Sequence, residues 1–317
     1  MAAAAVTIAE QYYTQIQAAL QCISSPSSLP EVIQQAQDAL MRWENEMPDA
    51  YVAALVSLVG STTTSVNHGG EEAATTSTLR LAAILTLKVA IIRRWKDKCR
   101  GIVQKNLLSE DVKTFIRQSM LNLLLAGKVD GQSVTNLSSN PNEITNHQIE
   151  LLQDRPLQMN ASSLLSKMAR MDLPLKFQFL VPTLIEGMTY SRRTVYQLQQ
   201  QQATQESHQH QLYQNQITIH RTVLYNSMNC LENILSELST QRLLVDKKFR
   251  NSLALQYLGS VVESGLNPSI RDLDTVFHDN EASVGMIEAV KYATVSSRVV
   301  SHMMINSFSK LSAELSL

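Results

Sequence analysis

The sequence predicts an all-α protein, an α-solenoid of about five stacked antiparallel helical hairpins. Three observations carry that prediction. The 317 residues include only 10 glycines and 8 prolines, and aromatic residues make up 5% while hydrophobic residues reach 44%. Few turn-formers and many unbranched side chains favour helix over sheet. Apolar residues recur at three- and four-residue steps in one segment after another. The segments also come in pairs, and a single pair cannot bury both of its apolar faces without a neighbour.

In the first hairpin, Ile8, Tyr12, Ile16, Ala19, Leu20 and Ile23 mark a helix over 6–23. SSPSSLP ends it, and Pro30 suits the first turn of the next helix, over 31–46, striped by Val32, Ala36, Leu40, Trp43 and Met47. Pro48 opens the second hairpin, whose first helix reaches Gly60. The polar run 61–78 lacks periodicity and is expected to be a flexible loop. The helix expected over 77–98 is apolar at nearly every position except Arg80, Thr86 and Lys88, a pattern that predicts cover on most sides.

Ser109 reads as the N-cap of the third pair, with Glu110 and Asp111 in the first turn and Phe115, Ile116, Met120, Leu123 and Leu124 on the core side. A second flexible loop is expected over 127–146, then a helix over 156–171. Pro174 begins the fourth pair, and Pro182 predicts a kink or break inside it. The Gln- and His-rich insert 197–216 reads as a frayed helix or a polar tract without structure. Helices over 217–238, 246–265 and 282–312 complete the five pairs, and the Met-rich end of the last is expected to pack on a further repeat.

No catalytic constellation is present: the chain has no GxGxxG, P-loop, HExxH, GxSxG or CxxC pattern. The expectation is a protein without enzyme activity, cofactor or metal. His208, His210 and His220 read as polar-tract residues rather than ligands. Cys22, Cys99 and Cys230 are too sparse for a disulfide framework or a zinc site, which fits a reducing compartment. A formal net charge of −1 gives no overall attraction to nucleic acid or membrane. One dense basic cluster, Arg93, Arg94, Lys96, Lys98 and Arg100, reads first as a solvated helix end matched to the dipole, and second as a site for acidic groups.

Five segments resemble the importin-β (karyopherin-β) family, and most closely its importin eleven branch. QAQDALMRWENEMPDAYVAALVSLV (35–59) resembles the family's opening, a helix ending in Leu-x-x-Trp before a short turn. LRLAAILTLKVAIIRRW (79–95) is similar to an Ala-rich helix with a Leu-Lys pair and a closing Trp, with Val89 standing where the family often has Asn. LSEDVKTFIRQSMLNLL (108–124) resembles the acidic-capped helix that follows. LLSKMARMDLPLKFQFLVPTLIEGM (164–188) is the most specific, with Phe177 and Gln178 where the family has Trp-Pro, and 220–249 completes the series.

The resemblance implies HEAT-like repeats 1 to 3A over 1–126, with a loop at 61–78, a loop over 127–146, and repeats 3B to 5 over 147–317. It implies the N-terminal part of a longer nuclear transport receptor, a monomer without nucleic-acid or membrane contact. Its expected partners are Ran-GTP, protein cargo and nucleoporins, and it would shuttle between cytoplasm and nucleus. The alternative is a helical-repeat scaffold without Ran dependence. The family's second helices line the partner face. Contacts are therefore expected from Gln34, Gln35, Asp38 and Arg42, from Arg80 and Lys88, and from Lys167 and Arg170. Trp43, Trp95, Asp172 and Pro182 stand as structural family-motif positions.

Overall fold

The computed structural model describes residues 2–61, 71–96, 106–125, 128–130, 133–136, 146–173, 175–204, 210–239, 244–267, 269–271 and 283–314. Among them it is all-α, as predicted, with eleven α-helices and one short two-stranded hairpin. Two compact units form, one from Met1–Leu123 with Asp154–Leu164, the other from Leu124–Gln153 with Leu165–Leu317.

The first unit begins with α1 (Ala2–Ser24) and α2 (Pro30–Glu46), joined by the expected Ser/Pro turn. α3 (Pro48–Val59) starts one residue after α2 ends, at a proline whose missing N–H would have no partner there. α1 packs on α2, α3 and α4 (Glu71–Arg94), and α3 packs on α4. α3 is the covered helix of this unit: its residues 50–56, Leu58 and Val59 are buried, so neighbours surround it. α4 is covered on most sides, as predicted, and leaves one stripe open, as described below. α4 also begins at Glu71, inside the stretch expected as loop, because two glutamates and an alanine pair suit a first helical turn. Residues 62–70 lie outside the described residues.

α5 (Glu110–Leu125) opens as expected. Val112 N–H donates to Ser109 Oγ at 3.4 Å, and Ser109 N–H donates to Asp49 Oδ1 at 3.0 Å. Asn106, the one non-glycine residue described with positive φ (69°), turns the chain into this cap and donates through Nδ2 to Asn45 O at 2.6 Å. Trp95 is buried against the cations of Lys113 and Arg117, 5.8 and 5.2 Å from its ring centroid. Trp43 meets Tyr12 with ring centroids 6.5 Å apart.

In the second unit, the stretch 127–146 carries structure where a loop was expected. β1 (Lys128–Asp130) and β2 (Ser133–Asn136) pair antiparallel, and α6 (Asn146–Gln153) follows. α7 (Arg155–Asp172), whose residues up to Leu164 belong to the first unit, matches its predicted span closely. α8 (Leu180–Thr204) starts later than Pro174, which lies outside the described residues, and Pro182 neither kinks nor breaks it. Pro182 is the third residue of the helix, where the N–H has no intrahelical acceptor to lose. Both ends of the Gln-rich insert are helical: α8 runs to Thr204 and α9 (His210–Ser239) starts at His210. Leu198, Gln216 and Ile217 are buried, so the tract follows helical packing rather than its polar composition.

α8 and α9 form the principal hairpin of this unit. α10 (Leu244–Val261) runs into a π turn (Val262–Leu266), and α11 (Ser283–Glu314) closes the described chain. Val181, Ile185 and Met188 of α8, Leu224 to Leu235 of α9, and Val295 to Met303 of α11 share one core. Gly265 of the π turn is glycine for a steric reason: a Cβ there would lie 1.8 Å from Met228 Cε.

Candidate functional site

α4 carries the feature that stands out. Leu85, Val89 and Ile92, at helical steps of four and three, are 45%, 45% and 38% exposed. Three large aliphatic side chains in a row on one helix face are more than the scattered exposure normal for a soluble surface. The opposite side of α4 is conventional core, with Ala83, Ile84, Leu87, Ala90 and Ile91 buried.

Polar ties on either side hold this stripe in place. On one side Lys88 Nζ donates to Ser163 Oγ of α7 at 2.8 Å, and Ser77 Oγ donates to Asp154 Oδ2 at 2.9 Å. Asp154 Oδ1 also accepts from Leu157 N–H, so one carboxylate caps α7 and anchors α4. On the other side Arg93 Nη1 and Arg94 Nε each reach the carboxylate of Glu44 on α2 at 3.3 Å. Glu44 is buried, and the two guanidiniums together offset the cost of keeping its charge out of water. Burial, with Glu44 close by, pushes the Tyr51 hydroxyl far up. α4 therefore lies between α2 and the opening turns of α7. Met41 of α2 and Met159 of α7 are also exposed.

Of the residues expected to meet a partner, Gln34, Gln35, Asp38 and Arg42 are exposed on α2, where Gln34 Nε2 donates to Asp38 Oδ1 at 3.0 Å. Lys88 sits beside the stripe, half-buried. Arg80 is a correction. It is fully buried, and its Nε and Nη2 donate to Ser61 O at 3.3 and 2.9 Å, so it holds the end of α3 and offers nothing to an outside molecule. Lys167 and Arg170, in the second unit, both reach Glu237 of α9, with Arg170 Nη1 3.2 Å from Glu237 Oε2. Burial works against ionisation of Glu237, yet those two hydrogen-bonding cations hold its carboxyl below the usual range.

The four motif positions take structural places. Trp95 and Asp172 are buried, Trp43 is half-buried, and Pro182 opens α8. Of the basic cluster, Arg93 and Arg94 hold Glu44, while Lys98, Arg100 and Cys99 lie outside the described residues. The second reading of that cluster, a site for acidic groups, is met here by an internal carboxylate. His208 lies outside the described residues. His220 is buried with Nδ1 3.4 Å from Ser191 Oγ, and burial lowers its pKa to about 4. Among the described residues no cluster of His, Cys, Asp or Glu is arranged to hold a metal.

The sequence reading missed Leu85, Val89 and Ile92 as surface residues. Their signal was present as apolar residues nearly all round a helix, which predicts cover on most sides without telling which side stays open. The same pattern also fits a helix with one side in the core and one side awaiting a partner.

Residues 71–126, which hold α4 and α5, match the family model of the importin-beta N-terminal domain. The match supports the importin-β family. In transport receptors of that family, this domain is the module that binds Ran-GTP. No curated protein and no solved structure matches the chain. No described helix is long and apolar enough to cross a membrane.

Proposed function

We propose that the chain is the N-terminal part of a nuclear transport receptor, that its α4 face binds the small GTPase Ran in the GTP state, and that it takes part in import of protein cargo through the nuclear pore. One observation carries the reading. The family match falls over α4 and α5, and α4 is the described helix with a continuous apolar stripe in the open. Half-covering three aliphatic side chains would contribute roughly 1 kcal/mol each to a complex. Lys88 and the α2 residues Gln34, Gln35, Asp38 and Arg42 would form its polar rim.

The importin eleven branch is the finer assignment, supported by the resemblance of the 220–249 segment. Cargo and nucleoporins would be further partners, with shuttling between cytoplasm and nucleus. The protein would work by binding, without enzyme activity.

The test is titration of the purified chain with Ran loaded with a non-hydrolysable GTP analogue or with GDP. The expected result is strong preference for the GTP form, lost in Leu85→Asp/Val89→Asp while circular dichroism stays unchanged. Equal affinity for both nucleotide states would overturn the reading. Val89, where the family often has Asn, favours the second reading, a repeat scaffold without Ran dependence. That reading expects protein capture through the same stripe, indifferent to nucleotide.

A further inference from the structure

The open side of α4 has a spacing as well as a chemistry. Thr78, Ala82, Leu85, Val89 and Ile92 follow one another by four, three, four and three residues, and all are exposed except half-buried Ala82. Steps that alternate between three and four average about 3.5 residues, the period of a helix seam that meets another helix. At about 100° per residue these side chains stay within a wedge of roughly 80° along α4. The row is therefore narrow and straight, about 21 Å long.

A row of this kind selects the shape of what covers it. A second helix lying almost parallel or antiparallel carries the same ruler, with rises of about 4.5 and 6 Å between successive side chains on its own seam. Its apolar side chains drop between Leu85, Val89 and Ile92 at a crossing angle of about 20°. Side chains on one face of a strand recur about every 6.6 Å, and drift out of step with the row within its length.

The flanks of the row set the charge. Lys88 stands on one flank and Arg93 on the other. Lys88 Nζ meets the neutral hydroxyl of Ser163 at 2.8 Å, a contact that leaves its charge uncompensated. Arg93 and Arg94 share the carboxylate of Glu44, and the Arg93 side chain remains 55% exposed. The carboxylate of Asp154 lies at the opposite end of the row, engaged by Ser77 and by the start of α7. Beside Leu85, Val89 and Ile92 the border is thus positive.

We infer that the partner element seated on α4 is an amphipathic α-helix, with aliphatic residues at alternating three- and four-residue steps on its inner side and glutamate or aspartate flanking them against Lys88 and Arg93. The inference rests on the reading of α4 as a partner face, and not on which protein brings the helix.

The experiment uses the full chain and a fluorescein-labelled peptide of about four heptads, with leucine at the seam positions and glutamate at both flanking positions, whose like charges keep it from pairing with itself. Two counterparts accompany it, one with lysine at the flanks and one of identical composition with its leucines scattered round the helix. Anisotropy at low salt should show saturable binding of the first peptide alone. Leu85→Ser/Val89→Ser, which alters no charge, should abolish it, and Lys88→Gln/Arg93→Gln should weaken it roughly tenfold. Circular dichroism establishes that each variant is folded. Equal binding of either counterpart, no saturable binding, or equal affinity in wild type and both variants would overturn the inference. So would dimerisation of the chain alone that Leu85→Ser/Val89→Ser removes, because a second copy would then hold the face. The Ran titration answers a separate question: peptide binding with no nucleotide preference sinks the Ran reading alone, and a GTP preference without peptide binding sinks the helix inference alone.

Discussion

α4 and α9 are both second helices of their hairpins, and both are tied to neighbours on either side, yet they face outward in opposite ways. α4 supplies the cations of its own ties, Lys88, Arg93 and Arg94, and shows leucine, valine and isoleucine between them. α9 supplies the carboxylates of its ties, Glu232 and Glu237, and the positions between them are polar, Asn229 and Asn233, both half-buried. The hairpin scaffold settles where an outward row lies; the residues in that row settle what it recognises. An apolar row favours a folded partner that covers it.

The comparison can be broken at its supports. Glu44 anchors two arginines beside α4, so Glu44→Ala should cost about 3 kcal/mol in chemical denaturation, because it takes that carboxylate from the largely buried Arg94. A loss under about 1 kcal/mol would mean the α4 border is not held this way.

On the α9 side the support is the seam with α8, where His220 is buried. Its pKa of about 4 in the folded protein lies below the ordinary 6.5, so the fold prefers the neutral ring. The stabilisation is therefore complete above pH 6.5 and is lost as pH falls through 6.5 toward 4. Roughly 2–3 kcal/mol should disappear over that window. Denaturant titrations at pH 7.5 and 4.5 would measure it, and His220→Gln should flatten the difference.

Gly265→Ala should cost about 2 kcal/mol through the clash with Met228, and Met228→Ala in the same chain should relieve part of it. Additive losses in that double-mutant cycle would place the strain elsewhere. The smallest stability effect sharpens the comparison most. Val89→Asn gives α4 the residue that the family often carries there, and should shift stability by less than about 0.5 kcal/mol without weakening Ran-GTP binding.

Much of the helical order was legible in the sequence. Pro30 and Pro48 mark the starts of α2 and α3, and Ser109 with Glu110 and Asp111 marks α5, because caps and first-turn prolines are local signals. What escaped depended on neighbours. Arg80 lies off the apolar pattern, yet folding turns it inward to a backbone carbonyl. Pro182 was read against a helix thought to begin at Pro174; with the start at Leu180 its ring sits harmlessly in the first turn. The polar stretch 133–136 pairs with 128–130, and alternation too short to register hid that hairpin. For the candidate site, α4 itself was legible, but which of its apolar sides faces water depends on α1 and α3, which cover the other.

The π turn at Val262–Leu266 has a consequence for anyone counting positions along this chain. Each extra residue accommodated in a turn rotates everything after it by about 100°. A ruler of 3.6 laid through α10 therefore slips out of step just where Ser264 points to Thr189, its Oγ 3.1 Å from the threonine hydroxyl. Shortening the chain by one residue there would not trim a loop; it would turn the following residues onto a new bearing.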